Sequence, residues 1–233
     1  IELPGDKEWK KLPPSFGKIL KAVVFSTSKD MSHPIFTVIH CSKNKVESTD
    51  SDRATCWKLE KDFFANDILL PAEAAKYLIG HSSLTHYAPK GGWIHFKVEN
   101  SAVFSCRTFE GEYPSLDSIF ERDGKELVFP ADTKEILDRA GIFVESDYDQ
   151  DQLVHISINS KGVLKVRAEG QSGWIEESVR MKDSGKQEIA FSINPQHLQQ
   201  ILGTVNKGIV SSDRILFESS NFQHVVSLEV VDE

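Results

Sequence analysis

Phe104-Ser105-Cys106-Arg107-Thr108-Phe109-Glu110-Gly111-Glu112-Tyr113-Pro114-Ser115-Leu116-Asp117-Ser118-Ile119 lies near the middle of a 233-residue chain, with a similar half on either side. Residues 101–107 mix β-branched, aromatic and sulfur side chains at roughly period two, which predicts a strand. Glu110-Gly111-Glu112 breaks that run, and Tyr113-Pro114 fixes an extended corner, because a residue before proline is pushed out of helical geometry. One unit ends on the strand and the next begins past the proline.

Upstream, residues 1–11 with Pro4-Gly5, Trp9 and three lysines read as a connecting arm rather than a packed element. Leu12-Pro13-Pro14-Ser15 starts a helix in which Phe16, Ile19, Leu20 and Val23 fall on one face and Lys18 and Lys21 on the other. Strands are expected over residues 35–41, which include Phe36, and over 45–48 and 54–59. A polar corner, Thr49-Asp50-Ser51-Asp52-Arg53, joins the last two. Leu70-Pro71-Ala72-Glu73 opens a second helix with Ala74, Ala75 and Leu78 inward and Glu73 and Lys76 outward, stopped by Gly80. After the Gly91-Gly92 turn, residues 93–98 pair with 101–107 as a hairpin across Glu99-Asn100.

Downstream the plan repeats. Phe129-Pro130-Ala131-Asp132 opens a third helix with Ile136, Leu137 and Ala140 inward and Lys134, Glu135, Asp138 and Arg139 outward. Residues 153–159 and 163–168 form one expected hairpin, and 174–181 and 187–193 another through 182–186. Ile193-Asn194-Pro195-Gln196 opens a fourth helix with Leu198, Ile201, Leu202 and Val205 inward, and strands 214–219 and 224–231 finish the chain. The two pairs of proline-led helices are separated by nearly equal intervals. The expectation is an internally duplicated α+β protein, each copy a pair of helices on one face of antiparallel sheet, divided as 1–122 and 123–233.

Composition narrows the function. With 39% hydrophobic and 27% charged residues the chain is of ordinary globular make-up, and no apolar run approaches the roughly 20 residues that cross a bilayer, so no membrane partner is expected. Residues 1–11 lack the order of a signal peptide, while a chain that starts at isoleucine leaves room for an upstream segment. Cys41, Cys56 and Cys106 form no C-x-x-C pair and read as small buried hydrophobes in a reducing, cytoplasmic setting. The net charge of −8 is uneven: residues 1–122 hold 16 basic and 16 acidic side chains, residues 123–233 hold 11 and 19. Such a chain is a poor candidate for tight, unassisted nucleic-acid binding, which depends on Lys and Arg against phosphate.

Catalytic constellations are scarce. The eight histidines show neither H-x-H nor H-E-x-x-H spacing and read as scattered surface or strand residues. Asp147, Asp149 and Asp151 resemble the start of a calcium loop, but Gln152 stands where its glycine is required and no closing Glu follows. Asp50 and Asp52 read as turn-amide acceptors and partners of Arg53. No catalytic residue, metal site or cofactor is expected. For recognition there remain the polar helix faces with Lys18, Lys21, Lys76, Lys134, Arg139, Gln199 and Gln200, which read as a solvated charged face on composition alone.

Taken in order, the Leu12-Pro13 helix, the Ser48-to-Arg53 corner, Leu70-Pro71-Ala72, Cys106-Arg107 through Gly111-Glu112-Tyr113-Pro114, the Phe129-Pro130 helix with Leu137-Asp138-Arg139-Ala140, and Ile193-Asn194-Pro195 resemble the bacterial DNA polymerase III beta sliding clamp. The likeness covers nearly the whole chain and matches the second and third of that family's three domains, with divergence that suggests a phage or prophage relative. It implies a homo-oligomeric ring with helices lining the hole, held on double-stranded DNA by topology and weak water-mediated contacts of the seven helix residues. DNA polymerase and the clamp loader would dock by peptides in a cleft whose walls map onto Phe36, Thr49, Arg53, Pro114, Ile119, Val225 and Val226. Ser51 and Asp52 stand where the family has Gly and His, Ala54 replaces a Leu, and Ser227-Leu228-Glu229 replaces a Met-Pro-Met segment, which implies a shallower and more acidic cleft. The expected function is a processivity factor without catalysis. A clamp-derived interaction module that no longer encircles DNA is the alternative, and a cation-dependent hydrolase at Asp50 and Asp52 ranks last.

Overall fold

The computed structural model describes residues 1–81, 83–98, 102–144, 152–171, 173–182 and 188–229. Several sequence expectations fall wholly or partly outside them: the Glu99-Asn100 turn, the Asp147, Asp149 and Asp151 loop, most of the 182–186 connection, and residues 230–231 of the last strand. The chain forms two compact units, Ile1–Leu116 and Asp117–Glu233.

Unit 1 runs β1 (Lys10–Lys11), α1 (Phe16–Val23), β2 (Val38–Ser42), β3 (Lys45–Thr49), β4 (Arg53–Lys58), β5 (Ile68–Pro71), α2 (Ala72–Ile79), β6 (His86–Lys90), β7 (Trp93–Lys97) and β8 (Val103–Arg107). Its strands are antiparallel, in the orders β5-β2-β3-β4 and β1-β6-β7-β8. Phe16, Ile19, Leu20 and Val23 of α1 are buried as their spacing dictates, and they join Ile39, Val46 and Leu70 of one sheet to Tyr87, Ile94 and Phe96 of the other in a single core. The α2 helix buries Ala72, Ala75 and Leu78, with Ala74 only half-buried.

Unit 2 repeats this with β9 (Lys125–Val128), α3 (Thr133–Gly141), β10 (Val154–Ile158), β11 (Val163–Gly170), β12 (Gly173–Arg180), β13 (Ile189–Ile193), α4 (Pro195–Leu202), β14 (Lys207–Val210), β15 (Arg214–Ser219) and β16 (Phe222–Ser227). Its strand orders, β13-β10-β11-β12 and β9-β14-β15-β16, match those of unit 1 strand for strand. Asn194 caps α4 by accepting from the N–H groups of Gln196 and His197, with Pro195 at the first helical position, where a missing N–H costs nothing.

Three expectations need correction. The arm is tied down, though its side chains stay largely exposed: Lys10 and Lys11 pair with Tyr87 and His86, Lys97 lies over the Trp9 ring, and Lys90 holds Glu2 and Glu8. Phe36 is not on a strand but in a 3-10 turn, Pro34–Thr37, because Pro34 fixes φ at its start and the Thr37 hydroxyl donates back to the Pro34 carbonyl. Residues 174–181 and 187–193 do not form a hairpin with each other. The eight-residue β11 turns tightly between Gly170 and Gly173 to pair with β12, and β13 joins the opposite side of β10. The α+β class and the antiparallel pairing are as expected, with the strands of each unit falling into two antiparallel sets of four.

Candidate functional site

On the helix faces Lys18 and Lys21 of α1 are exposed and have no ion pair among the described residues. Lys76 is bonded to Glu73 one turn earlier on α2. Lys134 is exposed on α3. Arg139 is engaged: Nε and Nη2 donate to the two Glu177 carboxylate oxygens at 2.7 Å each, a bidentate fork from α3 to β12. That hydrogen bond, with the charge behind it, raises the guanidinium pKa and lowers that of Glu177. Gln199 Nε2 donates to Asp138 Oδ1 at 3.0 Å, and Gln200 is exposed.

The corner between β3 and β4 is closed by its own polar groups. Asp50 Oδ1 accepts from the backbone N–H of Asp52 (3.2 Å) and of Arg53 (3.0 Å), and Asp50 Oδ2 accepts from Arg53 Nε at 2.8 Å. The Thr49 hydroxyl donates to the Arg53 carbonyl at 2.8 Å and accepts from the Ser51 N–H. Arg53 lies 5.6 Å above the Phe25 ring. Ser51 sits at φ 85°, a conformation that favours glycine and costs a serine of the order of 1 kcal/mol.

Of the other cleft positions in unit 1, Phe36 is half-buried beside His33, and Pro114 is exposed. In unit 2, Ile119 is half-buried in the 3-10 turn Asp117–Phe120, while Val225 and Val226 are 4% and 1% exposed, paired with Leu216 and Ile215.

Sequence reasoning missed a buried charge cluster. His40 on β2 faces a carboxylate acceptor at each ring nitrogen, with Nδ1 2.9 Å from Glu47 Oε1 and Nε2 3.2 Å from Asp67 Oδ2, and Lys45 Nζ reaches Glu47 Oε2 at 3.1 Å. Burial alone would push the His40 pKa down, but bonds to the two carboxylates outweigh it and hold it above the ordinary histidine value. The Tyr113 ring packs on His40 at 4.8 Å, so the residue that makes the central corner also seals this cluster. The available signal was Glu47 opposite His40 in adjacent strands, which is visible only once their register is known. Cys41 and Cys56 are buried, and burial raises the Cys41 thiol. Cys106 is half-buried, its thiol pushed up to about 11. Among the described residues no group of three or more His, Cys, Asp or Glu could hold a metal, and no helix is long and apolar enough to cross a membrane.

No protein-family model and no curated protein sequence matches the chain. Solved structures do: the DNA polymerase III beta chain of Streptococcus pneumoniae aligns over 99% of this chain and 67% of its own, with TM-score 0.83 and 18% identity. The fold is that of the bacterial DNA polymerase sliding clamp. The beta subunit of DNA polymerase III from Borrelia burgdorferi matches over 100% of this chain and 67% of its own at TM-score 0.82 and 17% identity. The Bacillus subtilis sliding clamp does so over 100% and 67% at TM-score 0.79 and 18% identity. Identities this low place the likeness in the clamp backbone, and the chain spans about two thirds of each clamp's length.

Proposed function

We propose that the chain acts as a DNA sliding clamp, a processivity factor without catalysis that closes into a homo-oligomeric ring around duplex DNA and tethers a polymerase. The observation that carries this reading is the clamp backbone followed across 99% of the chain, in two units of identical strand order. The units are assigned to the second and third domains of a three-domain clamp, with residues 1–122 and 123–233 as their extents. The DNA contacts are assigned to Lys18, Lys21, Lys76, Lys134, Arg139, Gln199 and Gln200. Polymerase and loader peptides are assigned to Phe36, Thr49, Arg53, Pro114, Ile119, Val225 and Val226 on the resemblance. Since Val225 and Val226 are buried, a peptide would reach them only by displacing neighbouring side chains.

A second reading, a clamp-derived module for protein contacts that does not encircle DNA, draws support from the Glu177 carboxylate that already occupies Arg139, and from the acidic excess of residues 123–233. Loading onto nicked circular DNA separates the two. A clamp stays bound in high salt and falls off when the circle is cut, because salt screens phosphate contacts but not a topological link. Release by salt from the intact circle would favour the module.

A further inference from the structure

The repeat allows one unit to show what the other lacks. Ile39 pairs with Leu70 as Val154 pairs with Ile193, each just before the cap residue of a helix, and this sets the correspondence. His40 then answers His155, Ser42 answers Ser157, Lys45 answers Lys165 and Glu47 answers Arg167. Both units leave their last strand alike: Phe109 N–H donates to the Leu69 carbonyl, and Glu229 exchanges backbone bonds with Ser192, Leu69 and Ser192 being the residues paired with His40 and His155.

From there the units part. In unit 1 the chain goes on through Glu110-Gly111-Glu112 and lays Tyr113 on His40, which is 8% exposed. In unit 2 no ring packs on His155 among the described residues. His155 and Ser157 are half-buried, Lys165 and Ala190 are exposed, and together they line a trough of about 720 Å³. The footprint is also less acidic, with Arg167 beside the trough in place of Glu47 and Ala190 in place of Asp67, while Lys165 keeps the charge of Lys45. Lys165 and Arg167 are paired with Glu176 and Glu169, and Glu188 stands at the trough's rim, but the two pairs are well exposed and cheap to exchange.

We propose that this trough docks an extended acidic segment of a partner protein that carries an aromatic residue, its ring on His155 and its carboxylates on Lys165 and Arg167. The template is the chain's own segment on the equivalent face of unit 1, and the specificity comes from Arg167, which unit 2 has in place of the Glu47 carboxylate, beside the lysine that both units keep. Trp174, 61% exposed beneath the Arg167 guanidinium, extends the same aromatic and cationic surface. This goes beyond the clamp reading and holds for a ring or a module alike.

The probe is a fluorescein-labelled peptide of the sequence Thr-Phe-Glu-Gly-Glu-Tyr-Pro-Ser, residues 108–115, titrated with the full chain by fluorescence anisotropy. Saturable binding is expected, weakened at least tenfold by Arg167→Glu or His155→Ala at unchanged Tm, and weakened similarly by a Tyr113→Ala peptide against the unaltered protein. Absent binding, or binding indifferent to these changes, overturns the proposal. Sedimentation velocity on the chain alone gives a further check: self-association abolished by Arg167→Glu would assign the trough to a second copy and overturn the partner reading.

Discussion

In unit 1 the α1 helix offers Lys18 and Lys21 to solvent without an ion pair among the described residues, whereas in unit 2 the corresponding α3 has its arginine forked to Glu177 and its Asp138 bonded to Gln199. On the sheets the contrast runs the other way: unit 1 buries its His40 cluster under Tyr113, and in unit 2 no ring among the described residues covers the matching face. The same strand order thus carries opposite surface chemistry. What the two units share is apolar and inward, the helix stripes and the strand faces they cover, and what separates them are side chains that can change without touching that core.

The largest effect that would break the comparison lies at the hairpins between corresponding strands. A Cβ on Gly170 would collide with the Phe143 carbonyl oxygen, so Gly170→Val should cost more than about 4 kcal/mol in urea unfolding of unit 2. The matching corner in unit 1 depends instead on side-chain bonds. Asp50→Ala, which strips Arg53 and two backbone N–H groups of their acceptor, should cost about 2–3 kcal/mol by the same measurement. Next comes the helix contrast. Replacing Lys18 and Lys21 together by Ala should weaken binding to linear duplex several-fold and flatten its salt dependence by about 2 in log–log slope, while Arg139→Ala changes both far less. Equal effects would show that the Glu177 fork opens on DNA.

Smaller effects sharpen the contrast in unit 1. His40 titrates above its ordinary value of about 6.5, so its contribution to stability is full below that pH and is lost as pH rises through the raised pKa. Urea midpoints should therefore fall from pH 6 towards pH 8.5, and His40→Gln should flatten that slope. Smallest of all, Ser51→Gly should stabilise the corner by up to about 1 kcal/mol by relieving its positive φ, seen as a rise in Tm.

All four helices could be read from the sequence because proline or asparagine marks their starts and their apolar residues recur at helical spacing; Phe16, Ile19, Leu20 and Val23 suffice for α1. The Asp50–Arg53 corner was legible for a similar reason, since its bonds join residues two or three apart. Strand partnership was not. Local order put residues 174–181 against 187–193, but the long β11 outcompetes that pairing, and the glycines flanking its turn were the overlooked signal. The two-residue β1 and the proline-bearing β5 and β6 carry no period at all, and Pro89 is tolerated in β6 because β1 pairs only as far as Tyr87. The His40 cluster stayed hidden because its members come from different strands and a connector. As for the candidate site, the sequence showed which helix residues face outward, but not that Arg139 is already satisfied.

Trp174 gives the molecule an optical handle. Trp9 and Trp93 also lie beneath cations, Lys97 and Arg107, but on unit 1, and Trp57 is half-buried. The solvated indole on β12 should contribute the reddest part of the emission, and because it lies beneath Arg167, the cross-strand neighbour of His155 in the trough, whatever settles there should shift its colour or quench it without any label being attached.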